Sequence, residues 1–470
     1  SGLVGSEMCI RDSLNTNPSN GQLATVTVSG SATLQITSGL LRTTGTSINV
    51  SYGPLAIGSN TSGGNRLSLS DTGTLFVGGL IVGRGTNGSN SYGGNVATIS
   101  TPGTSGSPSV KVGTNAGIYI VGMYSDDNSL TISNGAFVTQ SNNAGTNNSY
   151  IGQFSGAAGN TITITGSGST LNHTGQRLYV GGNGDHNTLS VEQGGRVSGL
   201  AQLYIGQGYD GSVSGTTAAS NAVNVKDSGS SVTTSQLLLV GGTAGATNNT
   251  LVVSNGASYS GTLTLTALVG AADGANSNSI TVKDAGSTLT FSTGTSTSWF
   301  GIGMTTGTVS TTASGNTFSV ESGASSTVGV PVRVGGSNSV VKVGNGTGTS
   351  TLTLSSTHST MPNLVTLDSA SAALQVNAGK LVVGSAKPLV AGAGTMSLLG
   401  AAEVDTGANA TSIDVAISGA GSLVKSGAAA LTLSGTNSYS GGTTVSAGSL
   451  VGTTASLQGA ITNNATVTFS

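Results

Sequence analysis

One phrase recurs along the chain and restricts it more than any other feature. An apolar run closes on a glycine, a polar stretch of variable length follows, then Asn-x-apolar-x-apolar and a turn with glycine. LYVGGNGDHNTLSVEQGG and LLLVGGTAGATNNTLVVSNGAS are two copies. The closing glycines are Gly58, Gly83, Gly122, Gly152, Gly181, Gly206, Gly241, Gly270, Gly303 and Gly335, nine intervals over 277 residues or about 31 each, a length typical of repeats that stack. The asparagines Asn65, Asn128, Asn160, Asn187, Asn221, Asn249, Asn278 and Asn316 each open a strand-like run with apolar residues two and four places on, such as Ile162 and Ile164 after Asn160. Period-two spacing puts the asparagine and both apolar residues on one face of a strand.

A single short strand cannot bury that face, whereas equivalent strands stacked coil on coil can. The expectation is an all-β chain wound as a parallel β-helix, a β-solenoid of stacked coils. Asn128, Asn160, Asn187, Asn221, Asn249, Asn278 and Asn316 then form a structural ladder at an inner corner, their amides bonding one another and the turn backbone. Composition agrees. Charged residues are only 6 % and glycines number 77. Parallel in-register stacking sets like residues side by side, where like charges repel. Good helix formers are scarce, and a net charge of −2 gives nucleic acid no counterion-release drive. Val, Ile and Thr recur too often for a disordered chain. The lone Cys9 makes no intrachain disulfide or zinc site, no apolar run reaches transmembrane length, and residues 1–30 show no secretory signal.

Three segments are expected. Residues 1–13, SGLVGSEMCIRDS, hold Glu7, Arg11, Asp12 and Cys9 and differ in composition from all that follows. The string resembles a translated sequencing-adapter read, and the segment is expected to be a non-native or disordered tail. Residues 14–418 are the Asn/Gly-rich solenoid. Within them the phrase breaks after Asn338, where Val340 and Lys342 fall at the apolar places, and from 350 onward the alternation continues without the asparagine, as in a coil of different shape. Residues 419–470 form the third segment, expected to continue the solenoid in a chain truncated at its C-terminus.

From Gly419 the chain reads GAGSLVKSGAAALTLSGTNSYSGGTTVSAGSL, ending at Leu450. The G-x-G-x-L-x-K-x-G opening, LTLSGTNSYSGGTTV and the Gly448–Leu450 close resemble the passenger-associated transport repeat of autotransporters, also called the autotransporter-associated β-strand repeat. Ala428–Ala430 depart from its usual Gly-x-Gly-like turn. The resemblance implies a right-handed parallel β-helix passenger, secreted or displayed at the Gram-negative outer membrane, whose partner is a C-terminal β-barrel translocator in the full-length chain. The expected role is that of a non-enzymatic stalk or adhesin-like module, with host-surface or extracellular glycans as candidate ligands.

The alternative weighed is a carbohydrate-binding or polysaccharide-cleaving β-helix. Cleavage needs carboxylates clustered on one wall, yet only Asp126 and Asp127 are adjacent outside the N-terminal segment. Lys226–Asp227 and Lys283–Asp284 recur before a turn glycine and are expected to be outward local ion pairs of little energetic weight. Asp185–His186 lacks the second copy that a calcium nonapeptide array requires, and His173, His186 and His358 lack metal-ligand spacing. No catalytic, cofactor or metal residue is assigned. Tyr150, Tyr179 and Tyr204 stand two places before closing glycines. They form either a ligand-facing stripe that stacks on sugars or, the favoured reading, coil-to-coil aromatic packing.

Overall fold

The computed structural model describes residues 7–10, 14–15, 26–28, 33–36, 40–44, 47–58, 64–70, 74–85, 93–100, 109–112, 118–140, 148–174, 177–208, 218–305, 308–309 and 313–470. The chain divides into two compact units, Ser1–Thr234 and Ser235–Ser470. Each is a parallel β-helix. Every strand pairing is parallel among the described residues except Met304–Thr305 with Thr308–Val309.

In the first unit one coil runs through Tyr119–Val121, Ser129–Ser133 and Phe137–Gln140, and the next through Asn148–Ile151, Thr161–Thr165 and Thr170–His173. Successive coils align residue for residue. Leu130 lies beside Ile162 and Ile162 beside Leu189, while Ile132, Ile164 and Val191 form a second column. All six are buried. The outward residues between them, Thr131, Thr163 and Ser190, are half-exposed. Hydrophobic area removed from water, at about 25 cal/mol per Å², accumulates along these columns, so each coil is stabilised by its neighbours.

The second unit carries corresponding columns, Leu251–Ile280–Phe318–Val341–Leu374–Met396–Ile417 and Val253–Val282–Val320–Val343–Val376–Leu398. Phe291 packs edge-on against Tyr259 and Phe300, and Phe300 against Phe318. The break after Asn338 is a shift of one residue. Thr317 pairs with Val340 and Phe318 with Val341, so Ser339 holds the place of Asn316 and Lys342 faces outward beside Ser319. Period-two geometry makes a one-residue slip exchange the two faces, and here it restores Val341 and Val343 to the interior.

Coils then shorten. Phe318 to Val341 and Val341 to Leu374 are 23 and 33 residues, but Leu374 to Met396 and Met396 to Ile417 are only 22 and 21. In the final module Leu431 pairs with Leu450, 19 residues on. Leu423–Ser426 pairs with Ala402–Asp405, so this module extends the same stack. At the other end, the backbone of Glu7–Ile10 pairs in parallel with Thr33–Ile36. That part of the N-terminal segment joins a ladder. Residues 1–6 and 11–13 lie outside the described residues.

Candidate functional site

Buried asparagines run along one corner of each unit. In the first, the Nδ2 of Asn65, Asn95, Asn128, Asn160 and Asn187 each donates to the Oδ1 of the next asparagine, ending on Asn221, at 2.9, 2.8, 2.8, 3.0 and 3.1 Å. The same Oδ1 also accepts the backbone N–H of the preceding rung. In the second unit Asn249 donates to Asn278 at 3.0 Å and Asn278 to Asn316 at 3.2 Å. Every amide points the same way, and bonds to Ala157, Ala246 and Ala275 carbonyls tie the rungs to turns. The rungs take in the seven asparagines of the expected ladder, with Asn65 and Asn95 besides. Asn95 was missed because Ala97, two places on, is too small to mark an apolar strand; Ile99 was the remaining signal.

The closing glycines belong to this corner. A Cβ on Gly122 would fall 2.2 Å from the Asn160 amide carbon. The same relation joins Gly83 to Asn128, Gly152 to Asn187, Gly181 to Asn221, Gly241 to Asn278 and Gly270 to Asn316. A second series caps the following turn, where the Ser169, Ser230, Ser287 and Ser350 hydroxyls accept the N–H of Gly135, Gly194, Gly256 and Gly323.

Tyr150, Tyr179 and Tyr204 stack with ring centroids 5.0 and 4.7 Å apart and are 3 %, 3 % and 8 % exposed. Their ring faces meet one another and leave no ligand-facing stripe; the packing alternative describes them. The Tyr204 hydroxyl donates to Gln202, and the Arg177 guanidinium lies 5.9 Å from the Tyr204 ring. Burial raises the Tyr204 pKa. Two residues beyond the closing glycines, sequence reasoning missed a second pair: Tyr124 and Phe154 stack at 4.2 Å and are half-exposed.

The carboxylates serve neighbouring backbone. Asp126 accepts the Ala158 N–H at 2.9 Å and Asp185 the Ala219 N–H at 2.7 Å. Lys226 does not pair locally with Asp227; it reaches back one coil to Glu192 at 2.9 Å, while Asp227 accepts the Gln193 N–H. Val225 pairs with Val191, which sets Lys226 beside Glu192, while Asp227 lies past the strand in a turn with a left-handed φ of 74°. In the second unit Arg333 grips Asp368 with two bonds, at 3.0 and 2.8 Å, beside the Trp299 ring. Lys380 sits between Glu403 at 3.0 Å and Asp405 at 2.8 Å. The Lys380 hydrogen bond holds the Asp405 carboxyl below its ordinary pKa.

His173 is buried with Nδ1 3.1 Å from the Tyr119 hydroxyl, and burial pushes its pKa down to about 3. His358 Nδ1 accepts two N–H groups of its own loop, from Thr360 and Met361. Among the described residues no three His, Cys, Asp or Glu side chains gather as metal ligands.

Lys425 is the unexpected member. The lysine of the G-x-G-x-L-x-K-x-G opening lies wholly inside, its Nζ donating to the carbonyls of Ser426, Gly427 and Ala447 at 2.7, 2.8 and 3.0 Å. The surrounding residues 423–451 match the family described as Passenger-associated-transport-repeat. The chain carries a passenger-associated transport repeat. The resemblance read from Gly419–Leu450 is therefore borne out, and with the β-helix it supports an autotransporter passenger. The repeat implies a translocator partner in the full-length protein. A search of curated proteins finds no match.

Proposed function

We propose that the protein is a non-enzymatic β-helical passenger of a Gram-negative autotransporter, carried across the outer membrane by a β-barrel translocator and held at the cell surface or released as a stalk or adhesin-like module. The match at residues 423–451, inside a parallel stack, carries this reading. Support for a structural role comes from the polar side chains: the asparagine ladder, Asp126, Asp185 and Lys425 are committed to neighbouring coils. Protease shaving of intact cells expressing the full-length gene tests it. The reading expects passenger fragments released from the surface and none when the segment encoding the translocator is deleted.

A second reading, contact with extracellular glycans, is favoured by the half-exposed Tyr124–Phe154 pair, because aromatic rings pack against sugar C–H faces. Binding on a glycan array that is lost in Tyr124→Ala and Phe154→Ala would establish it. Release of reducing or unsaturated ends from a polysaccharide panel would overturn the non-enzymatic assignment.

A further inference from the structure

Lys425 occupies a place built for an apolar side chain. Val404 stands beside it in the preceding coil and Val445 in the following one, both buried. An ammonium has three donors and no acceptor, and removing it from water is costly unless each donor finds a partner. Its own turn supplies two, Ser426 and Gly427; the third, Ala447, belongs to the next coil. The carboxylate nearest in charge, Asp405, bonds Lys380 instead.

The rest of the repeat is arranged around this contact. The N–H groups of Ala428 and Ala429 both donate to the Gly407 carbonyl at 2.8 and 3.0 Å, and Thr406 Oγ1 donates to Ala429 at 2.9 Å. The turn is thereby fixed from the preceding coil. From the following coil, the Ser446 N–H donates to the Lys425 carbonyl at 2.8 Å. Gly448 lies so close that a Cβ there would fall 2.5 Å from the Gly427 oxygen and 2.7 Å from those of Ala428 and Ala429. The lysine, the turn glycine and the closing glycine of the repeat are one contact, spread over two coils.

We propose that Lys425 is a latch between coils: the strand pair at 423–433 reaches its full stability only when 443–452 docks and Ala447 completes the coordination of the ammonium, so the two coils open and close as one unit. This stands on the coil geometry alone and is independent of the export reading.

Native-state hydrogen exchange on the whole chain tests it. Amides of Leu431–Leu433 and Leu450–Gly452 should exchange with the same denaturant dependence in the parent. In Lys425→Met, which keeps the apolar stem and drops the ammonium, the later amides should exchange about tenfold faster than the earlier ones. Persistence of common exchange in that variant overturns the latch. In Lys425→Ala, n-propylammonium should restore the common exchange, or folding itself should the variant not fold alone, whereas 1-propanol should not. Equal action of the two, or of neither, also contradicts the proposal.

Discussion

Gly122 lies against the side chain of Asn160 one coil further on, with a left-handed φ of 76° and no room for a Cβ, which would meet the amide carbon at 2.2 Å. The asparagine bonds a ladder that the glycine makes space for. Each repeat thus carries half of a joint whose other half sits in its neighbour, and this sets the register of the stack.

Gly122→Ala should lower stability by about 3 kcal/mol or more, combining left-handed strain with a steric clash. Gly156 also has a left-handed φ, of 83°, but nothing lies within 4 Å of a Cβ there. Gly156→Ala should cost only about 1–2 kcal/mol. Denaturant unfolding of both variants separates strain from contact; equal losses would deny the Gly122–Asn160 joint.

Asn160→Asp removes the donor to Asn187 while leaving acceptors facing each other. At neutral pH this should cost about 3 kcal/mol. The buried carboxyl would titrate above its unfolded value, so the deficit should shrink as pH falls toward 4 and the protonated acid donates again. A deficit independent of pH would place this side chain outside the ladder.

His173 predicts the acid behaviour of the parent chain. Its folded pKa of about 3 lies below the unfolded value of 6.5, so between those values the unfolded state binds more protons and stability falls as pH falls. The span bounds the loss at about 4–5 kcal/mol. His173→Phe should flatten that part of the stability–pH curve. An unchanged slope would mean that His173 is not the group responsible.

The sequence displayed the inward columns because Ile162 and Ile164 alternate strictly with threonines, and it displayed the ladder because Asn160 precedes them at fixed spacing. Other features depend on what an adjacent coil provides. Tyr204 reads as an outward residue by alternation, yet its ring is covered by its own stack. Lys425 reads as a surface charge, and only the arrival of Ala447 reveals why it is inside. Asn338 reads as the next rung by pattern, and only the pairing of Thr317 with Val340 gives that place to Ser339.

Leu433 and Leu67 are both buried, but only Leu433 lies in the transport repeat. Placing Asp at either buries an uncompensated charge. In the full-length gene Leu433→Asp should lower surface display more than Leu67→Asp at equal expression, because coils nearest the translocator fold first in the export reading. Equal display would leave the repeat as ordinary solenoid.

The stack itself is tested most directly by spin labels at Thr98 and Asn224. Both are half-exposed and are linked through Thr131, Thr163 and Ser190 by four successive parallel pairings. At about 4.8 Å per strand, a dipolar distance measurement should give one narrow distribution with Cα positions about 19 Å apart along the stack, broadened only by the label arms. A broad distribution, or one centred far beyond that value, would contradict the coil-on-coil solenoid.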